Sequence, residues 1–170
     1  MMFTWFATFQ DTAGQQCHVS KSEKAWLIDL ISHIPGLTKG LVYTPWAADG
    51  LPHNDGPSPP LQLQLYFENI EALESAIGKA GHLQQLADPK RLSLLDGAKV
   101  TEQAMLVRNY PVANSPPSDR PFCTYLVHYP GPAEDLNLWL RHYLDGHAPV
   151  MRRFPGIRGV EICSRIDWCS

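Results

Sequence analysis

The stretch Trp26-Leu27-Ile28-Asp29-Leu30-Ile31-Ser32-His33-Ile34-Pro35-Gly36-Leu37-Thr38-Lys39-Gly40-Leu41-Val42-Tyr43-Thr44 decides how the chain folds. Trp26, Leu27, Leu30, Ile31 and Ile34 recur at helical spacing, and Pro35-Gly36 stops that helix. Leu37 to Thr44 then reads as a strand, turned sharply back by the Pro-Gly pair. Upstream, Ser20 with Glu23 three residues on has the spacing of a capping box. Phe3 to Phe9, rich in aromatic and β-branched residues, reads as an opening strand. Downstream, Pro45 to Pro60 is dense in Pro, Gly, Asp and Asn and reads as a loop. Leu61-Gln62-Leu63-Gln64-Leu65-Tyr66-Phe67 starts in alternation, as a strand buried on one face does. Asn69 caps a helix whose apolar face is Leu73, Ala76 and Ile77. Helical turns with breaks are expected from Gly78 to Asp96, and Ala104 to Val112 supplies a fourth strand. The order β-α-β-β-α-β predicts an α+β, ferredoxin-like unit over residues 1–112.

A linker by composition, Ala113 to Pro121, precedes a second start. Phe122 to Tyr129 reads as a strand and Pro132 to about Asp145 as an amphipathic helix striped by Leu136, Trp139, Leu140, Tyr143 and Leu144. Phe154-Pro155-Gly156-Ile157 repeats Ile34-Pro35-Gly36-Leu37, again between a helix and a strand, here Ile157 to Ile166. Residues 122–170 therefore read as a partial second copy, β-α-β. A complete one needs another strand, a helix and a final strand after Asp167. The edge of an incomplete sheet invites pairing with another chain, so a homodimer is expected.

Bulk properties exclude several classes. The 170 residues are 44% hydrophobic and 18% charged, which is ordinary for a globular protein. A net charge of -3 gives no basic field, which argues against nucleic acid as a partner. No apolar run reaches the roughly 20 residues that span a bilayer, and the N-terminus lacks the charged lead of a secretory signal. Cys17, Cys123, Cys163 and Cys169 have neither CxxC spacing nor a short disulfide framework and read as reduced thiols of a cytoplasmic protein. No GxGxxG, P-loop, GxSxG or HExxH pattern occurs.

The run from Trp139 through His147-Ala148-Pro149 to Phe154-Pro155-Gly156-Ile157-Arg158-Gly159 resembles the EthD family. That family's pattern is an aromatic residue on a helix, then His-Ala-Pro, then an apolar-Pro-Gly-apolar turn into a strand. The likeness covers roughly Tyr125 to Arg165, and the first half keeps only the Pro-Gly turn. The resemblance implies the dimeric α+β barrel superfamily, in which two ferredoxin-like sheets pack together from two chains or two fused repeats. It also implies cofactor-free chemistry of an oxidative or dehydrating kind, an oxidoreductase or a lyase, often catabolic.

His147 is the candidate acid/base, since imidazole takes and gives protons near neutral pH. It sits between Gly146 and Pro149, where a regular helix is expected to kink, and a histidine that merely caps such a break is the rival reading. Trp139 and Tyr143, four apart, can meet as the wall of a site for a hydrophobic or aromatic small molecule, or simply pack a core. Tyr125 and His128, three apart, point to opposite faces of a regular strand, so one of them can face a ligand. Arg158 can bind an anionic or enolic oxygen, or join Arg152 and Arg153 in a solvated rim. His142, Asp145 and His147 invite a metal reading, but a five-residue offset between the histidines is awkward on a helix, and no metal is expected. The rival functions are a non-catalytic ligand-binding or assembly module, and a haem-binding relative with His128 or His147 as axial ligand.

Overall fold

The computed structural model describes residues 1–12, 18–45, 58–96, 98–113, 123–129 and 131–167. Most of the loop read from Pro45 to Pro60, nearly all of the linker from Ala113 to Pro121, and Cys17 and Cys169 lie outside them. Among the described residues five strands form one sheet: β1 (Met2–Asp11), β2 (Leu37–Tyr43), β3 (Leu61–Phe67), β4 (Ala98–Tyr110) and β5 (Val160–Arg165). Their order is β2-β3-β1-β4-β5, with β1 antiparallel to both β3 and β4, and β2 antiparallel to β3. With α1 (Lys21–Ser32) between β1 and β2 and α2 (Ile70–Ile77) after β3, the first four strands have ferredoxin-like topology. Cα proximity divides the chain into two compact units, Met1–Val107 with Ser164–Ser170, and Arg108–Cys163.

In the first unit the elements follow their local chemistry. Ser20 accepts from the Glu23 amide at 3.2 Å while Glu23 accepts from the Ser20 amide at 2.8 Å, the reciprocal capping box the spacing predicts. The same carboxylate reaches 70 residues along the chain to accept from the Ser93 amide and hydroxyl at 2.8 and 2.7 Å. Burial pushes the Glu23 carboxyl up, but the hydrogen bonds from Ser20 and Ser93 prevail and bring it down to about 2. Asn69 caps α2 by accepting from the Ala72 amide at 2.8 Å. Broken 3-10 turns at His82–Ala87 and Ser93–Leu95 follow, as the sequence between Gly78 and Asp96 suggests.

The helix-facing side of the sheet carries Trp5, Ala7, Phe9, Leu61, Leu63, Leu65 and Phe67, which bury Leu27, Leu30, Ile31 and Leu73 against them. The alternation in β3 is misleading about its other side. Gln64 and Tyr66 are buried as well, and Gln64 Oε1 accepts from the Tyr43 hydroxyl at 2.7 Å. A polar residue in an alternating strand is therefore not always the solvent side; here a hydrogen bond makes its burial affordable. The fourth strand also starts six residues before the Ala104 predicted, because β1 pairs with it from Ala98 to Val107, and it ends at Tyr110.

The α1–β2 reversal has the form of a type II turn. Pro35 occupies the second position, Gly36 the third with φ +75, and the Leu37 amide donates to the Ile34 carbonyl at 3.3 Å. A Cβ on Gly36 would meet the Ala72 Cβ at 2.7 Å, so α2 packs directly on this turn.

In the second unit the turn recurs: Gly156 has φ +82 and the Ile157 amide donates to the Phe154 carbonyl at 3.3 Å. Around Gly156, however, a Cβ would find nothing within 4 Å. Three expectations for this half need correcting. Residues 123–129, read as strand, are irregular and exposed throughout, because no described strand pairs with them; Phe122 lies outside the described residues. The helix starts at Leu136, where Asp135 accepts from the Leu138 amide at 2.9 Å, rather than at Pro132, and it does not end at Asp145. The last strand is shortened to Val160–Arg165.

Substitutions test these local contacts. Gly36→Ala should cost clearly more than Gly156→Ala in urea denaturation, since both force a side chain into left-handed backbone at roughly 1 kcal/mol but only Gly36 adds a clash. Ser20→Ala should cost about 1 kcal/mol. Because the folded-state value of Glu23 is depressed, its stabilising contribution is complete above its ordinary 4.5 and is lost as pH falls towards about 2. Glu23→Gln should flatten that acid limb in denaturation curves taken across the window; an unchanged limb would mean that the carboxylate does not tie α1 to Ser93.

Candidate functional site

The site is built within the second unit by one interrupted helix. After α3 (Leu136–His142), a π turn spans Tyr143–His147, and α4 (Ala148–Met151) resumes with Pro149 in its first turn. The break expected between Gly146 and Pro149 is thus a widened turn, continuous with helical backbone on both sides. Pro149 has no amide proton to give, so it interrupts the running hydrogen-bond ladder where the widened turn meets α4.

That widened turn aligns three rings. In a regular helix each four-residue step overshoots a full revolution by about 40°, so residues at i, i+4 and i+8 drift around the axis. Hydrogen bonding from i to i+5 takes fewer degrees per residue and cancels part of that drift. Trp139 stacks on Tyr143 with centroids 5.1 Å apart and planes 11° from parallel. Tyr143 in turn stacks on His147 at 4.6 Å and 17°. Tyr129 closes the cluster edge-on, 5.3 Å from Trp139 and 5.4 Å from Tyr143. Offset-stacked and edge-to-face pairs are the favoured arrangements of aromatic quadrupoles.

Beside the stack lies a hollow of about 400 Å³ lined by Trp139, His142, Tyr143, Gly146, His147 and Val150. Stacking uses a face of the His147 ring and leaves its nitrogens, which lie in the ring plane, for a ligand. Tyr143 is kept from ionising: burial first, then the neighbouring Tyr129 and a hydrogen bond with it, push its phenol up to about 12. It serves as a neutral platform. Cys163 is likewise no nucleophile, since burial and Glu161, only partly offset by Arg108, push its thiol up to about 12.

The sequence candidates divide. Trp139, Tyr143 and His147 come together as one stack on the hollow. Tyr125 and His128 sit on the exposed irregular segment, so the strand geometry that would have put them on opposite faces does not apply. Neither they nor the half-buried Arg158 line the hollow. Arg152 donates through Nε to the Pro111 carbonyl at 2.7 Å, a structural role. His142 and His147, awkwardly spaced for a regular helix, line the same hollow, and the widened turn shortens the angular gap between them. Among the described residues no three His, Cys, Asp or Glu side chains group as a metal site requires. The sequence reading missed Tyr129 and Val150. Tyr129 had a visible signal, an aromatic residue closing the segment just before the helix.

No protein-family model matches the chain, and neither does any curated protein. Solved structures do resemble it. One is a dimeric ferredoxin-like protein from an uncultured marine organism, 21% identical, with 61% of this chain and 92% of that one covered at a TM-score of 0.41. Another is SnoaB, a cofactor-independent oxygenase from Streptomyces nogalater, 11% identical, with 69% and 98% covered at 0.39. A third is an EthD family protein from Bacillus halodurans, 15% identical, with 60% and 96% covered at 0.39. No helix among the described residues is long and apolar enough to cross a membrane.

The neutral platform is open to direct measurement. In an NMR titration of the tyrosine ring signals, Tyr143 should ionise near pH 12, well above the ordinary value of 10.0. Tyr129→Phe should lower it only in part, since it removes the hydrogen bond and the neighbouring phenol but leaves burial, the larger cause. A Tyr143 signal titrating with free tyrosine would mean that the ring is not held in the stack.

Proposed function

We propose that the chain is an EthD-like protein that transforms a hydrophobic or aromatic small molecule without a cofactor, by oxidative or dehydrating chemistry. In this reading residues 122–170 are a diverged partial repeat of residues 1–112, and the working form is a homodimer. The observation that carries the proposal is His147 stacked face-on at the end of the Trp139–Tyr143 column, on the lip of the hollow. A planar substrate lies against the apolar lining, Trp139 and Val150 supplying surface, while an imidazole nitrogen of His147 takes a proton from an acidic C–H or O–H and either passes it to a departing hydroxide, released as water, or leaves an anion that dioxygen, as co-substrate, oxidises. Tyr143, held neutral, fixes the plane of the imidazole without competing for that proton. The two apolar-Pro-Gly-apolar turns, with glycine φ of +75 and +82 and closing hydrogen bonds of 3.3 Å each, support the repeat. The His-Ala-Pro run supports the family assignment.

A second reading is a binding module with no chemistry. It is favoured by the exposure of His147 and of Trp139, 37% accessible, since proton abstraction works best where water is kept out. Turnover and calorimetric binding of planar hydroxylated aromatics by His147→Ala and Trp139→Ala separate the two. The enzyme reading expects His147→Ala to bind normally and turn over roughly 100-fold more slowly or worse, and Trp139→Ala to lose binding. Ligand binding with turnover indifferent to His147 would remove it from any mechanism. A Soret band on adding haemin, lost in His147→Ala, would replace both readings with haem binding.

A further inference from the structure

We propose that Gly146 opens a notch for the edge of an aromatic ring carrying two adjacent oxygens, one held by each of His142 and His147. The inference rests on the reading of the hollow as the ligand site and names the class of substrate it takes.

The residues that line the hollow fall into two neighbouring columns on one face of the interrupted helix. Trp139, Tyr143 and His147 form the first, at four-residue steps, and His142, Gly146 and Val150 form the second. Stacked rings fill the first column. The second has no side chain at its middle rung. A Cβ on Gly146 would find no described atom within 4 Å, so this missing side chain is what leaves the space.

Local structure does not call for a glycine there. Gly146 is not among the glycines with positive φ, so its backbone is one that other residues adopt. No described neighbour presses on it, as Ala72 presses on Gly36. Within helical backbone glycine is the poorest choice after proline. A residue that weakens the helix and relieves neither strain nor clash is accounted for by what its space admits.

Two imidazoles border that space. His142 immediately precedes the π turn and His147 ends it. Hydrogen bonding from i to i+5 sets such residues one above the other, as i and i+4 are set in a regular helix. Side chains so placed have Cβ atoms about 5–6 Å apart, and their nitrogens can converge on oxygens of adjacent ring carbons. A neutral imidazole carries one acceptor and one N–H donor. His147, its plane fixed by Tyr143, accepts the proton of one hydroxyl, and His142 donates its N–H to the other oxygen. The other polar side chains of the hollow are less well placed. The Tyr143 hydroxyl is engaged with Tyr129, and Trp139 lies about 12 Å along the helix from His147. A ring with a single hydroxyl would therefore satisfy His147 alone.

Titration calorimetry with two probes tests the pair: a naphthalene with hydroxyls on two adjacent carbons, and the naphthol with one. The diol should bind about tenfold more tightly than the naphthol, the value of one well-made hydrogen bond. His142→Ala should erase that preference without weakening the naphthol, and His142→Gln, which keeps an N–H donor, should restore part of it. Gly146→Leu should abolish binding of both probes while circular dichroism shows the helix intact. Binding of neither probe to the unaltered protein would overturn the ligand-site reading and this inference together. Equal binding of the two, a preference that survives His142→Ala, or undiminished binding by Gly146→Leu would overturn this inference alone.

Discussion

The first unit turns on the contact between Gly36 and Ala72. A turn that needs left-handed backbone at its third position admits glycine at little strain, and here it is also pressed against α2. That contact fixes how closely α2 approaches the end of α1. The close approach of β2 to α1 follows: a Cβ on Gly40 would run into the Ile31 side chain. From there the ladder propagates, β2 to β3, β3 to β1, β1 to β4. Glu23 adds a second tie at the opposite end of α1, where one carboxylate satisfies a helix N-terminus and a distant 3-10 turn at once.

Much of this was legible in the sequence because the signals are local. The capping box, the Asn69 cap, the Pro-Gly turn and the span of β3 each depend on residues within a few positions of one another. The start of β4 was not, because its first six residues, Ala98 to Gln103, are strand only by virtue of pairing with β1, and nothing in Lys99, Thr101 or Glu102 announces a partner. The burial of Gln64 was hidden for the same reason. Its hydrogen bond comes from Tyr43, across a strand boundary.

The candidate site was half legible. Four-residue spacing placed Trp139 and Tyr143 together, and the His-Ala-Pro run marked His147. That all three would stack required the π turn, a backbone feature set by hydrogen bonds one residue longer than the helical rule. The glycine and proline flanking it signalled irregularity, but not its kind. Once the turn is widened, the old objection to the histidine spacing weakens, since angular offsets computed for a regular helix no longer hold there.

The same Pro-Gly turn has different consequences in the two halves. At Gly36 the left-handed backbone is covered by a neighbouring helix; at Gly156 it is open. Residues 123–129, read from the sequence as a strand, likewise stand exposed, whereas β1 is hydrogen-bonded along both edges. Strand propensity is largely a statement about packing and pairing rather than about the isolated backbone. A segment with that propensity and no described partner has not lost its preference; what it lacks is the second edge that would satisfy it.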